Sequence, residues 1–175
     1  MTAQPSKYNY TQFMPVMQFL AARPLLEMEP LQKVEKWMEN STEYDSLLII
    51  GSVGTGKSTI AQAMCRCWYD MLTTPKFCQC DIVAERIRQD ETYKMELAFH
   101  KGLLVLDDLG TESQVFGQES MSFIIFRRYE RKLPTIITSN LSLESIKARY
   151  GERIEDRLGS WGRLVLTYDS LRRRK

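Results

Sequence analysis

Residues 51–58 constrain this chain more than any others. Gly51-Ser52-Val53-Gly54-Thr55-Gly56-Lys57-Ser58 matches the pattern G-x-x-x-x-G-K-[ST] in full. The stretch follows the apolar run Leu47-Leu48-Ile49-Ile50. It precedes residues 57–71, where Ile60, Met64, Cys67, Trp68 and Met71 recur at helical period. A strand feeding a glycine-rich loop and then a helix is the context in which this motif holds phosphate. Glycines let successive backbone N–H groups turn toward one anion, and the helix adds its positive end. The predicted phosphate loop comprises Gly51, Ser52, Val53, Gly54, Thr55, Gly56, Lys57, Ser58 and Thr59. Lys57 is placed to reach the β- and γ-phosphates of ATP, and Ser58 to offer a hydroxyl to Mg²⁺.

Strands and helices alternate beyond that loop. Residues 77–80 read as a strand, with Asp81 as the N-cap of a helix running to about Gln89. Residues 94–100 read as a short helix and 103–107 as an apolar strand. Residues 119–131 read as a helix with Met121, Ile124, Ile125 and Tyr129 inward. Pro134 opens a strand over 135–139, short helices cover 142–149 and 152–158, and 164–168 is the last strand. The strands are continuous apolar runs, as a sheet covered on both faces requires. The expected fold is α/β, a P-loop NTPase with a five-stranded parallel sheet between helices. The expected division is an N-terminal helical segment, residues 1–46, and a nucleotide-binding core, residues 47–175. Pro15, Pro24 and Pro30 read as breaks in the first segment. Residues 29–40 read as an amphipathic helix with Leu31, Val34, Trp37 and Met38 on one face.

Three further features bear on chemistry. Leu103-Leu104-Val105-Leu106 ends in Asp107-Asp108. Asp107 suits Mg²⁺ held through its water shell, and Asp108 suits the orientation of an attacking water. Glu112 is the alternative to Asp108, which is one methylene shorter than the glutamate more usual at that position. The strand Thr135-Ile136-Ile137-Thr138-Ser139 ends at Asn140, whose amide can donate to phosphate without adding charge. Arg153 and Arg157 lie four apart on one helical stretch. Either could project into a neighbouring subunit's ATP site, with Arg157 preferred.

Composition excludes several classes. Hydrophobic residues are 43% and charged residues 26%, and 24 Lys+Arg against 22 Asp+Glu gives a net charge of +2. That is not a chain that coats nucleic acid by bulk charge. The basic residues Arg149, Arg153, Arg157, Arg163, Arg172, Arg173, Arg174 and Lys175 crowd the last quarter, as a solvated terminus or a phosphate-facing surface. No apolar run approaches the ~18 residues of a membrane span, and residues 1–7 lack a signal pattern. A cytoplasmic protein with reduced cysteines is expected. Cys65-x-Cys67 and Cys78-x-Cys80 do not read as a metal site, because zinc knuckles separate their ligands by about two to four residues.

The motifs together resemble the AAA+ ATPases of the DnaC-like helicase loaders and the related IstB-like transposition accessory ATPases. The resemblance rests on residues 51–58, 104–110, 128–131, 134–141, 150–158 and Asp169-Ser170-Leu171-Arg172, and runs from about Leu31 to Arg172. It implies that Asn140 is the first sensor, Arg157 the arginine finger and Arg172 the second sensor. It implies ATP and Mg²⁺ as cofactors and ATP hydrolysis as the activity. It further implies self-assembly into a ring or spiral, single-stranded DNA in the central pore, and a helicase or transposase as partner. The helix from Asp81 to Gln89, with Arg86 and Arg88, is similar in place to the family's DNA-facing segment. The family's loaders carry an extra N-terminal domain, and many AAA+ proteins carry a separate helical lid. Neither is expected here, which fits a small stand-alone ATPase of a phage, plasmid or transposable element. Two other classes remain open on the residues alone: a P-loop small-molecule kinase, and a nucleotide-binding scaffold without turnover.

Overall fold

The computed structural model describes residues 7–20, 28–42, 45–70, 72–113 and 116–167. Five strands form one sheet: β1 (Leu47–Gly51), β2 (Lys76–Gln79), β3 (Leu104–Leu109), β4 (Thr135–Ser139) and β5 (Gly162–Leu166). Their order is β2-β3-β4-β1-β5, and every pairing is parallel. The expected α/β architecture is present. β1, β3 and β4 are central and almost wholly buried, whereas β2 and β5 are half-exposed edges. The last strand begins earlier than its apolar run, at Gly162, and Tyr168 lies outside the described residues.

Alternation along the strands splits the core in two. Leu47, Ile49, Val105 and Ile136 face helices α1 (Phe13–Leu20), α2 (Met28–Asn40) and α3 (Lys57–Cys67). Leu48, Leu104, Leu106 and Ile137 face α4 (Cys80–Gln89), α5 (Thr92–Phe99), α6 (Phe116–Glu130), α7 (Leu143–Tyr150) and α8 (Glu152–Gly159). Each fully buried Leu or Ile contributes roughly 1.5–3 kcal/mol, so both faces of the sheet stabilise the fold.

Several expected boundaries shift for physical reasons. Pro15 and Pro30 fall in the first turns of α1 and α2, where no intrahelical N–H bond is lost, so neither breaks its helix. Pro24 lies outside the described residues. In α2, Leu31, Val34 and Met38 are buried as the pattern requires. Helix α3 stops at Cys67, before Trp68. There the amino-terminal chain takes over: Tyr8 forms an antiparallel bridge with Trp68, Asn9 N–H donates to the Cys67 carbonyl at 2.7 Å, and Tyr69 N–H donates to the Lys7 carbonyl at 2.6 Å. Met71 lies outside the described residues. Helix α4 begins at Cys80, with Asp81 in its first turn rather than at the cap, and Gln79 in the cap position. In α6 the inward position expected for Tyr129 belongs to Arg128, which is fully buried, while Tyr129 is exposed. Among the described residues, no helix is long and apolar enough to cross a membrane.

Candidate nucleotide site at the carboxyl end of the sheet

The phosphate loop joins β1 to α3. Gly54 and Gly56 adopt positive φ, 84° and 88°, which a side chain at either position would oppose. Thr55 is buried, and its hydroxyl donates to the Ser52 carbonyl at 2.9 Å. Ser52 and Val53 are exposed at the tip, whereas Ser58 and Thr59 are half-buried in the first turn of α3. Gly56 at its cap has no side chain to offer, an arrangement that suits an anion at the start of the helix. Lys57 is 4% exposed and bridges the loop to the neighbouring strand end. Its ammonium donates to the Ser52 carbonyl at 2.9 Å and to Asn140 Oδ1 at 2.6 Å. Asn140, exposed just past β4, therefore turns its carbonyl to Lys57 and keeps its amide nitrogen for donation.

Strand β4 lies between β1 and β3, so Asn140 stands between the phosphate loop and the paired aspartates. The pairing of β3 with β4 slips between Leu106 and Leu109: Leu106 pairs Ile137, but Leu109 pairs Ser139. Three residues of β3 thus span two of β4, a bulge that re-aims side chains at the strand end. The bulge carries both aspartates. Asp108 has φ 57°, a left-handed conformation that Asp tolerates better than most residues. Thr138 ties the pair together: its hydroxyl donates to Asp107 Oδ1 at 2.6 Å and accepts the Asp108 N–H at 2.9 Å. Asp107 is 2% exposed and Asp108 is half-buried. A buried carboxylate needs a compensating cation or donors. One hydroxyl on one oxygen of Asp107, with the Ser58 hydroxyl on the phosphate loop, is a hard-oxygen donor set that fits Mg²⁺.

Glu112 is differently placed. Its carboxylate is fully buried and accepts from Gly110 N–H at 3.0 Å, from Arg149 at 3.3 Å and from the Tyr150 hydroxyl. Arg149 also donates to the Glu112 carbonyl at 2.6 Å. With three donors on it, Glu112 locks the loop after β3 to the end of α7. Burial, and then the Glu112 bond, raises the Tyr150 pKa. Cys80, fully buried at the start of α4, is pushed well above the usual thiol range by burial and then by the Glu112, Asp107 and Asp108 charges. Sequence reasoning gave Cys80 and Tyr150 no place at this end of the sheet.

The arginines divide into distinct environments. Arg128 gives all five N–H donors to oxygens: Thr135 Oγ1, and the carbonyls of Leu97, His100, Gly102 and Pro134, at 2.8–3.0 Å. Arg157, on α8, is half-buried. It lies over Phe126 at 4.5 Å and Tyr129 at 5.3 Å, and donates to the Arg153 carbonyl at 2.6 Å. Arg153 is exposed. Arg172 lies outside the described residues, as do Arg173, Arg174 and Lys175. On α4, Arg88 pairs with Glu85, and Arg86 stacks on Tyr93 at 3.9 Å.

Comparison with known proteins extends this picture. No protein-family model matches the sequence. The chain is 28% identical over 165 residues to the replicative helicase loader DnaC of Escherichia coli (strain K12), covering 85% of this chain and 65% of that protein. It therefore spans just under two thirds of the length of the curated relatives it matches. In fold it is similar to a crystal structure of the DnaC helicase loader (TM-score 0.72, 23% identity, 89% of this chain and 98% of that one). It is similar also to DnaI (TM-score 0.67, 20% identity, 86% and 88%). A third likeness is to the replication initiator DnaA bound to AMPPCP and single-stranded DNA (TM-score 0.69, 18% identity, 88% and 50%). In sequence over most of its length, and in fold, this chain is similar to the AAA+ helicase loaders of the DnaC type.

Proposed function

We propose that this chain binds and hydrolyses ATP as an AAA+ protein that acts on DNA beside a replicative helicase. The observation that carries the reading is a convergence at one end of the sheet. A complete phosphate loop, a buried Asp107, a half-buried Asp108, and an Asn140 bonded to Lys57 meet there. ATP phosphates take the loop N–H groups, and Lys57 exchanges the Ser52 and Asn140 oxygens for β- and γ-phosphate oxygens. A bound Mg²⁺ supplies charge neutralisation on those phosphates, and Ser58 and Asp107 would hold it. Asp108 orients the attacking water and takes its proton, while the Asn140 amide donates to the γ-phosphate. Arg157 completes the site of a neighbouring copy in a ring or spiral, and Arg172 reads the γ-phosphate from its own chain.

The DNA role rests on the curated relative, a replicative helicase loader, and on the DnaA structure with single-stranded DNA. Single-stranded DNA would lie along the pore of the assembly, with α4 as the facing helix. The protein partner is a helicase, or a transposase where the chain serves a mobile element, and the reading places the protein in the cytoplasm. The test is the rate of phosphate release from ATP with and without single-stranded DNA. The expected result is release into water that DNA accelerates. A phosphorylated small acceptor would show a kinase instead, and binding without release would show a scaffold.

A further inference from the structure

Arg157 is held in an unusual way for a charged side chain. Its guanidinium carbon lies 4.5 Å from the ring centre of Phe126 and 5.3 Å from that of Tyr129. One terminal nitrogen donates to the Arg153 carbonyl one turn back, and Nε is buried with no hydrogen-bond partner. Phe126 and Tyr129 are three apart on α6 and share a face. Phe126 is half-buried against the core, which fixes its ring. Arg127 also approaches Phe126, at 5.9 Å, but it lies nearer Phe123 and pairs with Glu130. Among the described residues, the cation closest to the Phe126 ring is therefore Arg157.

An aromatic seat does something a carboxylate partner could not. It orients the guanidinium plane through the ring quadrupole, yet leaves no ion pair to be broken before the group meets a phosphoryl oxygen. We infer that Phe126, with Tyr129 beside it, is a positioning residue that presents Arg157 to the ATP site of a neighbouring copy. The inference rests on the reading of Arg157 as a finger acting in trans.

The test is steady-state ATPase with Phe126→Leu, which keeps apolar bulk but removes the ring, and Phe126→Tyr, which keeps the ring. Phe126→Leu is expected to lower kcat about tenfold, the scale of a lost cation–π contact, with KM for ATP unchanged. Phe126→Tyr is expected to retain turnover. Mixing Phe126→Leu with Lys57→Ala should raise activity above the sum of the two, because the partner brings a properly seated Arg157. Mixing it with Arg157→Ala should not. Full turnover by Phe126→Leu, or rescue by Arg157→Ala rather than by Lys57→Ala, overturns the inference. Should Phe126→Leu not fold, Tyr129→Leu on the exposed edge is expected to lose about threefold in kcat, and unchanged turnover there overturns it equally. If Arg157→Ala itself keeps full turnover, the finger reading has failed. If Arg157→Ala loses turnover and Phe126→Leu does not, only the seat has failed.

Discussion

Helix α6 carries one arginine and seats another, and the two are held in opposite ways. Beneath it, Arg128 is fully buried and gives every donor to an oxygen, four of them backbone carbonyls from the end of α5, the loop before β3 and the start of β4. On its flank, Arg157 rests on two rings, uses one donor on its own helix and leaves Nε unmatched. A charge whose hydrogen bonds are complete is a rivet, and removing it leaves orphaned acceptors. A charge that rests on polarisable rings is instead held without a carboxylate, as the proposed role of Arg157 requires. Glu112 and Asp108 differ in placement: the first is fully buried under three donors, and the second is half-buried at a bulge at the end of β3.

The contrast can be broken most forcefully at the nucleotide end. Lys57→Ala is expected to abolish ATP binding while leaving the fold intact, since the ammonium has no apolar packing role. Calorimetric titration with ATP checks this, and wild-type affinity would remove the phosphate-loop assignment. Arg128→Met should do the reverse. It leaves four carbonyls and a hydroxyl without their partner in the core, at a cost of about 3–5 kcal/mol. Melting should fall by roughly 6–20 °C for a domain of this size, and a thermal scan with unchanged midpoint would contradict the rivet. Arg128→Lys should recover only part of the loss, because an ammonium has three donors against five.

Asp108→Asn sharpens the carboxylate side. It should bind ATP with Mg²⁺ as wild type does and lose turnover about a hundredfold or more, within the range for a lost general base. Phosphate release under saturating ATP measures this. Glu112→Gln should have the smallest effect. It keeps the shape of the lock but weakens the Arg149 pair, and should cost about 1–2 kcal/mol of stability with little change in the rate at saturating ATP. A collapse of turnover in Glu112→Gln at normal ATP affinity would move the water-orienting role from Asp108 to Glu112.

Local patterning made the sheet legible. Continuous apolar runs marked the three central strands, and a contiguous eight-residue motif marked the phosphate loop. Asp107, Asp108 and Asn140 stood out because each follows an apolar run, and parallel strands deliver their ends to one edge. What sequence did not disclose is non-local. The bulge at Asp107-Asp108 depends on how Thr138 of another strand bonds to both residues. The early end of α3 depends on a bridge from Tyr8. The burial of Arg128 depends on the carbonyls of Leu97, His100, Gly102 and Pro134 gathered around it, while the helical pattern points to Tyr129 as the inward residue. Glu112 reads as a candidate base until Arg149 and Tyr150 arrive from α7.

In the proposed assembly one chain supplies the pocket and another the Arg157 guanidinium. The direct test is the ATPase activity of an equimolar mixture of Lys57→Ala and Arg157→Ala, each nearly inactive alone. One brings an intact Arg157 and the other an intact phosphate loop, so mixed contacts restore complete sites. The account predicts activity well above the sum of the two separate proteins, rising with total protein concentration. Activity equal to that sum at every concentration would contradict it and leave Arg157 a local feature of α8.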